Sequence, residues 1–105
     1  MPQPEGEIDI ARNIRTIEWL KTELLAGVSG LFRAMLRGSE EAITDGLSGL
    51  IISCYALARR LGYSFAKLDA KVEARVRMNI SEGHEIEKWY GDLTALLRYF
   101  EERKR

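Results

Sequence analysis

The chain has 105 residues, 46% of them hydrophobic, which is enough for one domain with an apolar core and too few for two. Its 16 basic and 16 acidic residues cancel, so no basic surplus indicates a nucleic-acid partner and no acidic surplus indicates a cation buffer. We expect a single helical domain over residues 1–105, with flexible ends at residues 1–7 and 102–105.

The first seven residues are acidic and have no apolar centre, so they are unlike a signal peptide. The apolar runs fall short of the roughly 20 residues that a membrane-spanning helix needs. Cys54, the only cysteine, excludes an intrachain disulfide, and its place in the apolar run 50–57 predicts a buried, inert thiol. We therefore expect a cytoplasmic protein without a membrane partner.

The first half of the chain begins with a long apolar stripe. Both prolines lie within the first four residues, and Gly38 is a plausible helix end. The stripe suits one long helix or two shorter ones, and we expect a bend near Lys21 to Leu25. Its members recur in steps of three and four: Ile10, Ile14, Ile17, Leu20, Leu24, Leu25, Val28, Leu31, Phe32 and Met35.

Ser39 is predicted to cap a second helix, with Glu40 and Glu41 in its first turn, where carboxylates suit the helix dipole. That helix runs to about Leu61 and stops at Gly62.

Two more caps divide the rest of the chain. Ser64 is predicted to precede a helix that ends near Ile80, and Ser81 to cap a last helix whose wide apolar face suits a core or an oligomer interface. The pattern predicts an all-α fold, a four- to five-helix bundle. The apolar positions are Phe65, Leu68, Val72 and Val76, then Ile86, Trp89, Tyr90, Leu93, Leu96, Leu97 and Phe100.

Two glycine pairs, Gly27/Gly30 and Gly46/Gly49, fall inside the predicted helices. Each interior glycine costs about 1 kcal/mol relative to alanine, so a compensating contact is expected. Spacing of three residues makes each pair a smooth patch, which predicts that the two helices approach closely there. The alternative is that these glycines are incidental and sit in frayed or bent segments.

Three stretches carry recognisable motifs. Residues 24–31 read Leu-Leu-Ala-Gly-Val-Ser-Gly-Leu, residues 45–51 read Asp-Gly-Leu-Ser-Gly-Leu-Ile, and residues 55–64 read Tyr-Ala-Leu-Ala-Arg-Arg-Leu-Gly-Tyr-Ser. They resemble the MazG-like branch of the all-helical nucleoside triphosphate pyrophosphohydrolases, whose corresponding motifs are Glu-Glu-x-x-Glu, Glu-x-x-Asp and Leu-Ala-x-x-Leu-Gly-Ile-Asp. With residues 17–21 and 82–93, the chain resembles a short stand-alone MazG-like family and the fold that this implies.

In those enzymes the motif carboxylates hold magnesium, which bridges the triphosphate and activates water. Carried over position by position, the first motif falls on Ala26, Gly27 and Gly30, and the second on Gly46 and Gly49. None of these side chains can bind magnesium, so the resemblance implies a degenerate site. We hypothesise that the two helices close on each other and that the pocket has collapsed.

Two functions remain open. The first is a non-catalytic binding or regulatory protein that needs no cofactor and forms a homodimer, a higher homo-oligomer or a complex with another protein. The alternative is a Mg²⁺-dependent nucleoside triphosphate pyrophosphohydrolase that uses relocated acids: Glu40, Glu41 and Asp45, with Glu23 also near. Helix caps and solvated surface are the other interpretation of these acids.

Lys71 and Arg75, one turn apart on one helix face, are candidates for phosphate binding, which would suit a nucleotide sensor without turnover. They suit equally well surface ion pairs with Asp69 and Glu73.

Glu82, His84 and Glu85 are weak candidates for a metal site at the start of the last helix. The alternative is a capped, solvated helix start.

Overall fold

The computed structural model describes residues 5–104, except for the side chains of Glu5 and Glu7. These residues form five helices and no strand, which confirms the all-α class and the predicted number of helices. The helices are α1 (Glu5–Arg37), α2 (Glu40–Arg60), α3 (Phe65–Ser81), α4 (Glu85–Tyr90) and α5 (Asp92–Arg103).

Helix α1 is a single element of 33 residues, which decides for one long helix over two shorter ones, while the bend expected near Lys21 to Leu25 stays a prediction. No glycine or proline lies in that segment, and nothing there interrupts the backbone hydrogen bonds. The helix stops at Gly38, whose φ of 70° is left-handed and whose N–H donates to the carbonyl of Ala34 at 3.0 Å. A helix end at this glycine is as predicted.

The turn between α1 and α2 consists of two residues. After Gly38, Ser39 caps α2, and its Oγ accepts a hydrogen bond from the N–H of Ala42 at 3.2 Å. Glu40 and Glu41 occupy the first turn of α2 as predicted, next to the unpaired N–H groups of the helix start. Such a short connection makes α1 and α2 antiparallel neighbours.

Contacts at both ends hold this α1–α2 hairpin together. At its open end, Asn13 Nδ2 donates to the carbonyl of Arg60 at 2.9 Å, and Arg60 Nη1 donates to Asn13 Oδ1 at 3.1 Å. Nearer the turn, Gly46 lies against Leu31. The two helices therefore stay together along nearly the whole length of α2.

The end of α2 is a glycine stop. Gly62 has a φ of 96°, and the N–H of Tyr63 donates to the carbonyl of Ala58 at 2.9 Å. Phe65 then begins α3, as predicted, and its ring packs edge-on against Tyr55 with centroids 5.7 Å apart. This contact packs the residue that follows the turn against the end of α2.

The predicted cap at Ser81 is wrong, because Ser81 is the last residue of α3. The chain turns at Gly83, which has a φ of 71°, and His84 becomes the cap of α4. The Nδ1 atom of His84 accepts a hydrogen bond from the N–H of Ile86 at 3.2 Å. A serine can cap only if its backbone leaves the helical region, and Ser81 is still helical.

The single last helix of the prediction is two helices, α4 and α5, separated by Gly91 with a φ of 68°. Glu87 of α4 supplies the cap that Gly91 lacks. Its carboxylate accepts hydrogen bonds from the N–H of Thr94, at 3.0 Å, and from the Thr94 hydroxyl. The Thr94 hydroxyl, followed by its N–H, lowers the pKa of the Glu87 carboxyl.

Few apolar side chains are buried, and several predicted to be buried are exposed. Phe65 and Val72 are exposed, and the exposed thiol of Cys54 corrects the prediction of a buried one. Periodicity identifies the side chains that share a helix face, but not whether another element covers that face. The buried apolar residues among those described are Leu20, Leu31, Ala34 and Val76.

The described chain divides into two compact units, the first ending at Phe65 and the second beginning at Ala66. The first holds the α1–α2 hairpin. Within the second, Lys104 Nζ lies 2.8 Å from Glu73 Oε1, and Arg77 pairs with Glu101 at 3.4 Å. One domain over residues 1–105 stays a prediction. The same is true of flexible ends, where residues 1–4 and 105 lie outside the described residues.

None of the helices in the described part of the chain is both long and apolar enough to cross a membrane.

Candidate functional site

A cleft of about 300 Å³ lies between α1 and α2 on one side of the hairpin. It contains four of the five positions onto which the motif acids were carried, all except Gly30. The positions that the resemblance indicates on the two helices therefore lie together in one cleft. The lining residues are Glu23, Ala26, Gly27, Asp45, Gly46, Gly49, Leu50 and Ser53.

The helices approach closely at one glycine of each pair. A Cβ atom built on Gly27 would lie 3.0 Å from Leu50 Cδ2. One built on Gly46 would lie 3.3 Å from Leu31 Cδ1 and 3.4 Å from its Cα. Carbon atoms in favourable contact are about 3.5–4.0 Å apart, so both positions are closer than contact distance. The predicted close approach is confirmed at these two glycines.

The other glycine of each pair has room beside it. A Cβ on Gly49 would meet nothing within 4 Å, and one on Gly30 would meet only Arg33 Nη2, at 3.9 Å, from its own helix. Residues three apart differ by about 60° around a helix, so one glycine of each pair points more directly at the partner helix than the other. A cleft of about 300 Å³, open to solvent, persists beside the contact, and the collapse of the pocket stays a prediction.

Two carboxylates line the cleft, Glu23 from α1 and Asp45 from α2, and both are exposed. Of the three proposed relocated acids, only Asp45 is among the lining residues. Glu40 and Glu41 stand in the exposed first turn of α2, where they face the helix dipole. Glu23, which the sequence offered only as a nearby acid, takes their place in the cleft.

The side chains that line the cleft provide only part of what a magnesium site requires. Carboxylate and hydroxyl oxygens are suitable ligands, and Glu23, Asp45 and the half-buried Ser53 provide them. However, no three His, Cys, Asp or Glu side chains in residues 5–104 are grouped closely enough to hold a metal ion. The cleft therefore does not fit the magnesium site of the resembled enzymes, which takes its ligands from two acidic motifs.

Two lining residues, Leu50 and Ser53, were missed by the sequence reasoning. The signal was present in the helical spacing, because Leu50 follows Gly46 by four residues and Ser53 follows Gly49 by four. Residues four apart lie on the same helix face. Once the glycines were assigned to the site, these two neighbours could have been assigned with them.

Lys71 and Arg75 lie in the second unit, exposed on α3. Glu73, their suggested ion-pair partner, is bound instead by Lys104, whose Nζ donates to both carboxylate oxygens at 2.8 and 2.9 Å. The pairing of these cations with Glu73 is therefore not found. Their role in phosphate binding stays a prediction.

The cluster of Glu82, His84 and Glu85 is not assembled as a metal site in the described part of the chain. His84 uses Nδ1 to cap α4, and Glu85 is the first residue of that helix. The alternative of a capped helix start is confirmed for His84.

Comparison with known proteins identifies the family of this chain. The model of the MazG-like family matches residues 10–93, which include most of α1, all of α2, α3 and α4, and the beginning of α5. No curated protein and no solved structure gives a significant match. The matched range is the greater part of the chain and contains every residue that lines the cleft. The chain belongs to the MazG-like family.

Proposed function

We propose that this MazG-like protein has a degenerate pyrophosphohydrolase site and acts by binding, as a homo-oligomeric binding or regulatory protein. The contact between the helices at the cleft carries the proposal. A glutamate at Gly27 would have to displace Leu50, and one at Gly46 would press against the backbone of Leu31. The helices pack against the positions where the resembled enzymes hold metal, so more than the carboxylates has been lost.

Electrostatics support the same conclusion. Magnesium demands near-octahedral geometry, and the resembled enzymes supply its protein ligands from two acidic motifs. The cleft offers two exposed carboxylates, Glu23 and Asp45, on different helices. Two exposed carboxylates on different helices provide a weaker and less defined site than paired acidic motifs.

The proposal is tested with the full chain, Mg²⁺ and a panel of nucleoside triphosphates, by measuring pyrophosphate release. We expect no release above the protein-free rate, and no rise in melting temperature on adding Mg²⁺ or nucleotide. Magnesium-dependent release that is lost in Asp45→Asn but kept in Glu41→Gln would overturn it. Glu41 is the matched control, since it lies on α2 outside the cleft.

The alternative function is a pyrophosphohydrolase whose magnesium is held by relocated acids. One observation favours it, namely that Glu23 and Asp45 line the same cleft. In this alternative, Glu23→Gln and Asp45→Asn each abolish pyrophosphate release, whereas Glu40→Gln does not. The same assay therefore decides between the two functions.

The exposed apolar surface supports the proposed oligomer. Phe32 and Ile51 are 60% and 58% exposed, and few apolar side chains of the described residues are buried. Small domains gain stability by covering such surface with a partner. We expect a mass in solution that is a multiple of the 12.0 kDa chain.

A further inference from the structure

The open end of the α1–α2 hairpin carries a second concavity, the open-end cleft, of about 540 Å³. It shares no lining residue with the cleft at the glycine pairs. Its size is within the range of small-molecule sites, about 300–1,000 Å³. Every lining side chain is polar or charged, so the open-end cleft would recognise charge and hydrogen-bonding groups rather than apolar surface. These residues are Asp9, Arg12, Asn13 and Thr16 on α1, and Arg60 at the end of α2.

Helical spacing brings the α1 residues of the open-end cleft together. Asp9, Asn13 and Thr16 follow steps of four and three, so their side chains lie along one helix face. Arg12 is about one turn from Asp9 and from Thr16 and lies beside this row. Arg60 comes from the last turn of α2, within the same compact unit. Two helices therefore bring two guanidinium groups and one carboxylate to a single concavity.

Asn13 orients one of these guanidinium groups. Its half-buried side chain donates to the carbonyl of Arg60 at 2.9 Å and accepts a hydrogen bond from Arg60 Nη1 at 3.1 Å. Because an amide is neutral, the contact positions the guanidinium without neutralising its charge. A guanidinium has several N–H donors in one plane, and the contact with Asn13 uses only one of them. The charge of Arg60 therefore stays available to a ligand.

The charges that line the open-end cleft favour a single negative charge on the ligand. Two arginines and one aspartate leave a net charge of one positive. Arg12 and Arg60 form no ion pair with a carboxylate in the described part of the chain. Two such cations in one cleft repel each other, and an anion between them removes that repulsion. A planar carboxylate suits this role, since it accepts paired hydrogen bonds from a guanidinium.

Asp9 indicates what lies beside the carboxylate of the ligand. The Asp9 carboxylate accepts hydrogen bonds and opposes a second negative charge. The hydroxyl of Thr16 already donates to the carbonyl of Arg12 at 2.8 Å, so it does not compete as a donor to Asp9. A hydroxyl or amino group on the ligand would supply the donor that Asp9 can accept.

We propose that the open-end cleft binds a small monocarboxylic acid with a hydroxyl or amino group beside its carboxylate. Arg12 and Arg60 hold the carboxylate, and Asp9 accepts the hydrogen bond from the neighbouring group. A triphosphate does not fit, because its several negative charges exceed those that two arginines and an aspartate balance. The site is therefore independent of the question of pyrophosphohydrolase activity.

NMR titration of the isotope-labelled full chain tests the site, with glycolate, glycine and acetate as probes. We expect saturable shifts of the signals of residues 9–16 with glycolate or glycine, at a dissociation constant on the order of 1–10 mM. Acetate lacks the second donor and should bind at least about threefold more weakly. The stronger of glycolate and glycine distinguishes a hydroxy acid from an amino acid.

Two arginine variants separate the cleft from general charge attraction. Arg12→Gln should raise the dissociation constant of the stronger probe at least about fivefold, because it removes charge-assisted hydrogen bonds. Arg15→Gln is the matched control, with the same change in net charge. Arg15 is exposed on α1 and does not line the open-end cleft, so this variant should bind like the wild type.

Asp9→Asn tests the assignment of the second group on the ligand. An amide is a weaker acceptor than a carboxylate, so the preference for the stronger probe over acetate should decrease toward equality. All three variants change exposed side chains, and their melting temperatures should stay close to that of the wild type.

Several outcomes contradict the proposal. Shifts that do not saturate, or equal weakening in Arg12→Gln and Arg15→Gln, would mean that anions meet only the general charge of the surface. Equal binding of all three probes by the wild type would rule out the proposed ligand class. Pyrophosphate release concerns only the cleft at the glycine pairs, so the failure of either proposal leaves the other standing.

Discussion

Gly46 and Gly49 lie about one turn apart on α2. Replacing each with alanine distinguishes two effects of an interior glycine, its cost to the helix and the space it leaves for a neighbouring side chain. Alanine at either position removes the helix penalty of glycine, about 1 kcal/mol. At Gly49 a Cβ meets open space, whereas at Gly46 it meets the Cα of Leu31 at 3.4 Å, and a backbone atom cannot move aside alone. We expect Gly49→Ala to raise the free energy of unfolding by about 0.5–1 kcal/mol and Gly46→Ala to raise it less or lower it.

Urea unfolding followed by circular dichroism measures both changes. Gly46→Glu, which restores the acid of the resembled motif, should lower the free energy of unfolding further than Gly46→Ala. Equal gains for alanine at the two positions would contradict the close approach of α1 and α2 at Gly46.

The stability of the α4–α5 junction should depend on pH through the carboxyl group of Glu87. Hydrogen bonds from the Thr94 hydroxyl and N–H hold the pKa of this carboxyl below its usual range, so folding favours its ionised form. The resulting stability is complete above the unfolded-state pKa and is lost as pH falls through the lowered folded-state pKa. We expect acid to lower the urea midpoint more in the wild type than in Glu87→Gln, which has no carboxyl to protonate.

The comparison is made at pH 7 and near pH 3, on either side of the carboxyl range. Glu85→Gln is the control on the same short helix, because Glu85 accepts no hydrogen bond from Thr94, and its pH response should follow the wild type. A Glu87→Gln response identical to the wild type would mean that the cap does not contribute.

At the scale of helices, the prediction was correct for the helix ends that a single residue determines. Gly38 and Gly62 have the left-handed φ that ends a helix, and Ser39 caps the next one. The break at Gly91 was missed because the apolar spacing runs across it in phase on both sides. Spacing reports which side chains share a face, and two short helices in phase look like one.

Substitution at Gly91 tests that break. Its φ of 68° serves the end of α4 and the start of α5 together. A residue with a Cβ atom pays about 1–2 kcal/mol for this conformation, and asparagine pays less because it tolerates it. We expect Gly91→Ala to lower the free energy of unfolding by about 1 kcal/mol and Gly91→Asn by less than half of that. Equal losses would mean that side-chain volume, not backbone conformation, is limiting.

The site itself was only partly predictable. Motif positions identified the cleft at Ala26, Gly27, Gly46 and Gly49, since helical spacing transfers from one chain to another without gaps. The persistence of the cleft was not predictable. It depends on the 60° offset within each glycine pair, which lets one glycine touch the facing helix while Gly49 stays open.

On the scale of the whole molecule, few of the described side chains are buried, so we expect stability to increase with the proposed association. In the first unit only Leu20, Leu31 and Ala34 are buried among the described residues, while Phe32, Ile51 and their neighbours are exposed. A hairpin with so little core gains little from burial within one chain. The proposed homo-oligomer would supply the missing apolar contact.

A dimer that folds as it associates has a melting temperature that rises with protein concentration. Each tenfold increase adds about 1.4 kcal/mol per dimer, half of that per chain, which corresponds to roughly 3–5 °C for a domain of this size. We therefore expect the wild type to melt a few degrees higher at about 100 micromolar than at about 10 micromolar, a tenfold increase. Ile51→Lys, which places a charge on the exposed apolar surface of α2, should show a smaller dependence of melting temperature on concentration, because the charge weakens association. A wild-type melting temperature independent of concentration would mean that the chain is stable without association.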